Sequence, residues 1–321
     1  MVLIMSRDND YSTIQITQWL KYFGMPFIRI NQEDSYKITK IEIGDKIDFE
    51  LCSNLGLNIF FSNIKSVWYR RGHLNFIYNL NCDIPLDLRQ YSKIHLIDEL
   101  KILEEYFYFL MNELPHLGSF QTRGMNKLEV LYKAKQIGIT IPKTSVVDSS
   151  DYLDKSQSTI TKNISESYMP HTSYGGYITY TEDVNVEFLT QQKFFPSLFQ
   201  EKHEKEADIR IFYIDGKFYS MAIRSQENEQ TATDFRKYLK QNPNRKFPFK
   251  LSIDLESKLS KLMRELNLET GSIDMILTKN GKFIFLEVNP IGQFGMTSYP
   301  CNYYLEKIIA KHLIKISENE K

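Results

Sequence analysis

The chain has 321 residues, enough for two or three packed lobes. Its 40 Lys and Arg balance 40 Asp and Glu, with 42% apolar and 25% charged residues. That is a globular composition with no global drive toward nucleic acid or an anionic membrane.

Residues 2–5 are apolar, and Ser6, Arg7, Asp8 and Asn9 follow at once. This is expected to be a first strand, not a signal peptide or a span. An amphipathic stretch at 12–23 and a buried run at 27–30 complete a strand–helix–strand start, the mark of an α/β lobe. Residues 36–52 alternate apolar and polar, a hairpin pattern. Residues 64–70 read as a strand ending in Trp68-Tyr69-Arg70-Arg71. Leu96, Leu100, Leu103, Phe107, Leu110 and Leu114 then form one stripe of a long helix, which Pro115 ends. A second amphipathic helix spans 126–137, and Gly138 stops it where a left-handed backbone costs least.

A lobe boundary is expected near Ser119, and beyond it the chain turns β-rich. Strands are expected at 159–164 and 197–202, and a hairpin at 209–214 and 217–224 about Asp215-Gly216. A helix covers 252–266. A second hairpin, 273–277 with 283–288, turns at Asn280-Gly281, and a last helix runs over 301–316. No stretch approaches the ~20 apolar residues of a membrane helix. Cys52, Cys82 and Cys301 form no C-x-x-C pair and read as small apolar residues in a reducing cytoplasm. The six histidines show no ligand pattern.

Neither G-x-x-x-x-G-K-[ST] nor G-x-G-x-x-G occurs, so a P-loop enzyme, a Rossmann dehydrogenase and a protein kinase fit poorly. The second hairpin carries the chemistry. Glu287 and Asn289, two apart on a strand, share a face, and the turn brings Asp274 back beside Glu287. Three hard oxygen donors suit Mg²⁺. Pro290 ends the ladder at once. The plain alternative is a solvated polar strand end.

Asp274 followed by Leu286-Glu287-Val288-Asn289-Pro290 resembles the metal hairpin of the ATP-grasp superfamily. Other pieces follow that family's order. Asn126-Lys127 opens a helix that ends in Gly138-Ile139-Thr140-Ile141-Pro142-Lys143-Thr144, similar to the helix and turn before the lid. Residues 159–162 resemble the lid strand whose lysine, here Lys162, contacts phosphate. Phe199-Gln200-Glu201-Lys202 resembles the adenine- and ribose-holding segment. Asp208-Ile209-Arg210 resembles the D-x-R strand, and Asp234-Phe235-Arg236 a later triphosphate-contacting arginine. The lid between Ser165 and Tyr180 departs from the pattern, with only Gly175-Gly176. Val67-Trp68-Tyr69-Arg70-Arg71 and Gly292-Gln293-Phe294 bring the chain closer to the graspetide synthetases, specifically the grasp-with-spasm peptide maturases.

The resemblance implies an α/β fold of α+β lobes: an N-terminal pre-ATP-grasp lobe at 1–118, a linker helix and β-rich lid at 119–199, and a C-terminal lobe with the metal hairpin at 200–321. It implies ATP and Mg²⁺. Asp274, Glu287 and Asn289 would hold the metal; Lys127, Lys162, Gln200, Glu201, Lys202, Asp208 and Arg236 the nucleotide. Arg210 and Arg236 would stabilise charge in the reaction, and Arg70 and Arg71 would bind substrate, or else pair with a carboxylate inside their lobe. The substrate implied is a precursor peptide of leader and core, cyclised through ester or amide links, with a homodimer as an option. An intermolecular carboxylate–amine ligase and a non-catalytic nucleotide-binding regulator stay open.

Overall fold

The computed structural model of the chain describes residues 1–77, 85–154, 156–165, 181–186, 193–224 and 244–318, and the backbone of 171–172 and 175–176. Two units are formed, Met1–Arg123 with Tyr304–Lys321, and Gly124–Tyr303.

The first unit is built on a parallel sheet. β1 (Val2–Ser6) is buried at every position, as a strand covered on both faces must be. It pairs in parallel with β2 (Phe27–Asn31) on one side and β6 (Ser66–Tyr69) on the other; β7 (His116–Leu117) extends the sheet beside β6. Helix α1 (Tyr11–Tyr22) joins β1 to β2, and Asp10 caps it by accepting from the Thr13 amide. The expected hairpin is present as β3 (Tyr36–Ile43) and β4 (Ile47–Ser53), with β5 (Asn58–Phe60) as a third antiparallel strand. The long helix α2 runs over Arg89–Glu113; its buried residues, Phe107, Tyr108, Leu110 and Met111, sit in its C-terminal part.

The second unit begins with α3 (Lys127–Gln136). Asn126 caps it, accepting from the Leu128 and Glu129 amides, and Gly138 follows at φ +84°, as the sequence pattern requires. An antiparallel sheet comprises β12 (Glu182–Val184), β9 (Thr159–Lys162), β13 (Lys193–Glu201) and β8 (Thr144–Ser149), in that spatial order. The two-residue strands β10 (His171–Thr172) and β11 (Gly175–Gly176) pair with each other. The larger sheet runs β16 (Arg245–Phe249), β15 (Lys217–Arg224), β14 (Lys205–Ile214), β17 (Thr270–Thr278) and β18 (Phe283–Asn289). Helix α4 (Ile253–Glu265) buries Leu255, Leu259, Leu262 and Met263 in a core shared with Ile209, Ile211, Ile273, Met275 and Phe285. Val130, Leu131 and Ala134 of α3 join the same core.

The two expected hairpin turns differ. Asp215 and Gly216 both have positive φ between the paired Ile214 and Lys217, a two-residue type I′ loop. At Asn280-Gly281 only Gly281 is left-handed, and its amide donates to the Thr278 carbonyl. That is a type I turn closed by a glycine bulge, with the Thr278 hydroxyl accepting from the Lys282 amide.

The final helix, read from the sequence as 301–316, begins four residues later, and a separate short helix precedes it. α5 (Gly295–Cys301) ends at Asn302, whose left-handed backbone donates to Ser298 and Tyr299. Tyr304 is also left-handed, and α6 (Leu305–Glu318) then starts afresh. Asn is the residue that most cheaply replaces glycine at such a stop. The break falls at the unit boundary. α6 packs on α1, β1, β6 and β7, so it belongs to the first unit and not with residues 200–303. Cys301 is buried beside Met221 and Ile223, and burial pushes its thiol up to about 11. Cys52 is partly buried, and Cys82 lies outside the described residues. Among the described residues no helix is long and apolar enough to cross a membrane.

Candidate active site

The hairpin β17–β18 places its acids by register. Asp274 lies directly opposite Glu287, and Ser272 opposite Asn289. The ladder shifts just beyond, where Met275 pairs with Phe285 and Leu286 is left over. A bulge there lets the rest of β18 keep its own apolar alternation while Glu287 stays level with Asp274. Glu287 and Asn289, two apart, share a face. Asn289 Oδ1 accepts from the Ile291 amide at 3.0 Å, a local turn that orients the amide. Gly292 then passes so close to Ser272 that a Cβ would lie 2.6 Å from its backbone nitrogen. Only glycine lets the chain turn back over the strand end here.

Cations gather on these acids. Lys127, the first residue of α3, brings Nζ to 3.6 Å from Glu287 Oε2. It also donates to the carbonyls of Asn163 (3.3 Å) and Ser165 (3.1 Å), where the chain leaves β9. Lys162, the last residue of β9, lies 3.8 Å from the same Glu287 oxygen. Arg210 on β14 sits opposite Asp274 in register, its Nη1 3.7 Å from Asp274 Oδ1. Its side chain is 11% exposed, and its Nε has no hydrogen-bond partner among the described residues. Lys127, Lys162, Arg210, Asp274 and Glu287 are thus brought together, with Asn289 two residues along the same strand from Glu287.

Among the described residues no three Asp, Glu, His or Cys side chains converge. The hairpin offers two carboxylates and one amide oxygen, an all-oxygen set that fits Mg²⁺, whose other positions go to phosphate and water. The donor chemistry fits that ion and does not fit a softer metal.

The remaining nucleotide candidates have other partners. Gln200 is buried on β13; its Nε2 donates to Thr144 Oγ1 at 3.0 Å, while Oε1 has no partner among the described residues. Glu201 lies 3.7 Å from His203 Nδ1, and Lys202 pairs with Asp183 at 2.6 Å. Asp208 is buried, and both its oxygens accept from Lys205 Nζ at 2.8 Å. Lys205 escaped the sequence reading, although a lysine three residues before an acid on a strand leading into a core is the available signal. Arg236, with Asp234, lies outside the described residues, as does most of the lid segment after Ser165.

In the first unit Trp68 and Tyr69 are core side chains. Arg70 and Arg71 follow β6 directly and share one acid: Asp10 Oδ2 lies 3.4 Å from Arg70 Nε and 2.7 Å from Arg71 Nε. The intra-lobe pairing named as the alternative is thus present. Burial and the neighbouring Arg71 push the Arg70 guanidinium down to about 10, against the pull of Asp10. Asp10 was not singled out in the sequence; its place as the cap of α1 was the signal.

No protein-family model matches the chain, and no curated protein does. Solved structures do match it over nearly its whole length. A RiPP-associated ATP-grasp ligase of Chryseobacterium gregarium, in complex with ADP and a leader and core peptide, superposes with TM-score 0.80 at 22% identity, over 98% of this chain and 96% of that one. Macrocyclase MdnC of Microcystis aeruginosa, bound with precursor peptide MdnA, gives 0.73 at 21% identity, over 98% and 100%. The ATP-grasp ligase PsnB, complexed with minimal precursor, Mg and ADP, gives 0.68 at 14% identity, over 99% and 97%. The fold of this chain is that of the ATP-grasp ligases.

Proposed function

We propose that the chain is an ATP-dependent ligase that activates side-chain carboxylates of a precursor peptide and couples them to Thr or Ser hydroxyls, or to Lys amines, forming macrocyclic ester or amide links. The observation that carries this reading is the convergence of Lys127, Lys162 and Arg210 on Asp274 and Glu287, in a fold shared with ligases whose structures hold ADP and precursor peptides.

The chemistry follows from the charges. The peptide carboxylate attacks the terminal phosphorus of ATP, ADP leaves, and an acyl phosphate forms. The hydroxyl or amine then attacks the acyl carbon, loses its proton, and inorganic phosphate departs. Lys162 and Lys127 neutralise phosphate oxygens as point charges. Arg210, nearly buried, holds charge at the acyl centre. Asp274, Glu287 and Asn289 would hold Mg²⁺, which supplies neutralisation of the triphosphate when bound. Gln200, Glu201, Lys202 and Asp208 line the nucleotide side, and Arg236 grips the triphosphate. Residues 119–199 are the linker helix and lid, Arg71 takes substrate carboxylates beside the buried Arg70, and the enzyme works in the cytoplasm, with a homodimer as an option.

Mass spectrometry of a precursor incubated with the protein, ATP and Mg²⁺ tests the proposal. Macrocyclisation removes one water per link. A gain of a residue mass would replace this reading with an intermolecular ligase. Nucleotide binding with no ADP release on any carboxylate substrate would leave a regulator.

A further inference from the structure

The catalytic cations of this site rest on the metal ligands. Lys127 and Lys162 both approach Glu287 Oε2, at 3.6 and 3.8 Å, and Arg210 approaches Asp274 at 3.7 Å. Among the described residues three positive side chains approach these two carboxylates. The neighbouring Asp208 is held by Lys205. None of the five side chains is more than about a third exposed, so water screens them only in part.

A lone divalent cation entering here meets two ammoniums and a guanidinium within a few ångströms of its ligands. It must either displace them or sit against them, and both are costly. A polyphosphate reverses the situation. Its oxygens offer the lysines a better partner than Glu287, and each lysine that turns to phosphate frees the carboxylate for metal. Lys127 is suited to such an exchange. It is already held by the Asn163 and Ser165 carbonyls, so leaving Glu287 does not leave it unpaired.

We infer that Lys127 and Lys162 act as a charge latch on Glu287, so that this site takes a divalent cation only together with a nucleoside polyphosphate. Metal and nucleotide are then positively coupled, and each tightens the other by the same factor. The inference rests on the nucleotide-site reading above. It adds that the metal ligands, without nucleotide, repel a lone cation and that Glu287 competes with phosphate for its lysines.

Titration of free Mn²⁺ followed by electron paramagnetic resonance, with and without ADP, tests it on the full chain. Wild-type protein should bind Mn²⁺ at least ~10-fold more tightly with ADP than without. Lys162→Met and Lys127→Met should each raise nucleotide-free Mn²⁺ affinity while weakening ADP binding. Glu287→Gln should bind metal-free ADP more tightly than wild type, although it loses a metal ligand. Either lysine variant serves if the other fails to fold, as judged by its melting temperature. Mn²⁺ affinity that is independent of ADP in wild type, or unchanged in the folded lysine variants, would overturn the latch alone. Failure of wild type to bind ADP at all would overturn both the latch and the ligase reading.

Discussion

Two clusters in this molecule place two cations on a single carboxylate oxygen, and they differ in burial. In the first unit Asp10 holds Arg70 and Arg71 at 3.4 and 2.7 Å, with Asp10 and Arg70 side chains 4% and 5% exposed. In the second unit Glu287 holds Lys127 and Lys162 at 3.6 and 3.8 Å, and Glu287 is 31% exposed. A buried pair cannot exchange partners without stranding a charge, so its geometry is fixed. A partly exposed pair at longer distance gives way to an incoming phosphate more readily, because the phosphate offers the lysines a new partner. The same arrangement of charges is fixed structure in one place and, in the proposed ligase, a binding site in the other.

The sharpest way to break that contrast is to remove the acid from each cluster. Glu287→Gln should lower turnover by at least ~10³-fold, since a charged ligand becomes a weak neutral one, while the melting temperature stays near wild type. Asp10→Ala should do the opposite. Two arginines lose their acid and α1 loses its cap, for about 3–5 kcal/mol of stability. Thermal melting and ADP release measured on both variants check this. Equal stability loss in the two would mean that burial does not separate them.

Next come the lysines. Lys162→Ala and Arg236→Ala should each slow ADP release by about 10²-fold, the scale of a lost charge-assisted contact in the transition state. Lys315→Ala, exposed on α6, is the control and should change nothing measurable. Gly292→Ala probes the frame instead. A methyl 2.6 Å from the Ser272 nitrogen must push β17 away from the returning chain, so metal-dependent nucleotide binding should fall with stability. Site variants matching the Lys315 control would displace the triphosphate from where it is drawn here.

The hairpin geometry was legible in the sequence because β periodicity is rigid. Once Asn280-Gly281 marks the turn, Asp274 must come back near Glu287, and the observed register puts them opposite. What sequence did not carry was the bulge at Leu286, which costs one residue and leaves the alternation readable on either side. The short helix Gly295–Cys301 was missed because it is only seven residues long and carries Pro300, which sequence reads as a breaker. Arg70 and Arg71 stood out as charges after an aromatic strand, but their acid lies far away in sequence at position 10. Helix and strand periods report which face a residue is on, not which residue from another element meets it there.

The smallest effects are expected where the two arginines part company. A base whose pKa is lowered by folding costs stability whenever it is charged. For Arg70 that cost is present at every pH below about 10 and is relieved only as pH rises through that value toward its ordinary range. Arg70→Met keeps the apolar stem and removes the repulsion felt by Arg71, while Asp10 retains its 2.7 Å partner. Its melting temperature should stay close to wild type, within about 1 kcal/mol in stability, and far above that of Asp10→Ala. Arg71 is 30% exposed and is the member of the pair that a substrate carboxylate can reach. Arg71→Ala should leave stability and ATP affinity near wild type and yet reduce dehydrated peptide product several-fold, because a bidentate carboxylate reader is lost and no buried charge is stranded. The conservative Arg71→Lys should likewise keep wild-type stability and restore product only in part, since an ammonium replaces the fork by a point charge. Product falling only in step with the folded fraction, in Arg71→Ala and Arg71→Lys alike, would make both arginines purely structural partners of Asp10.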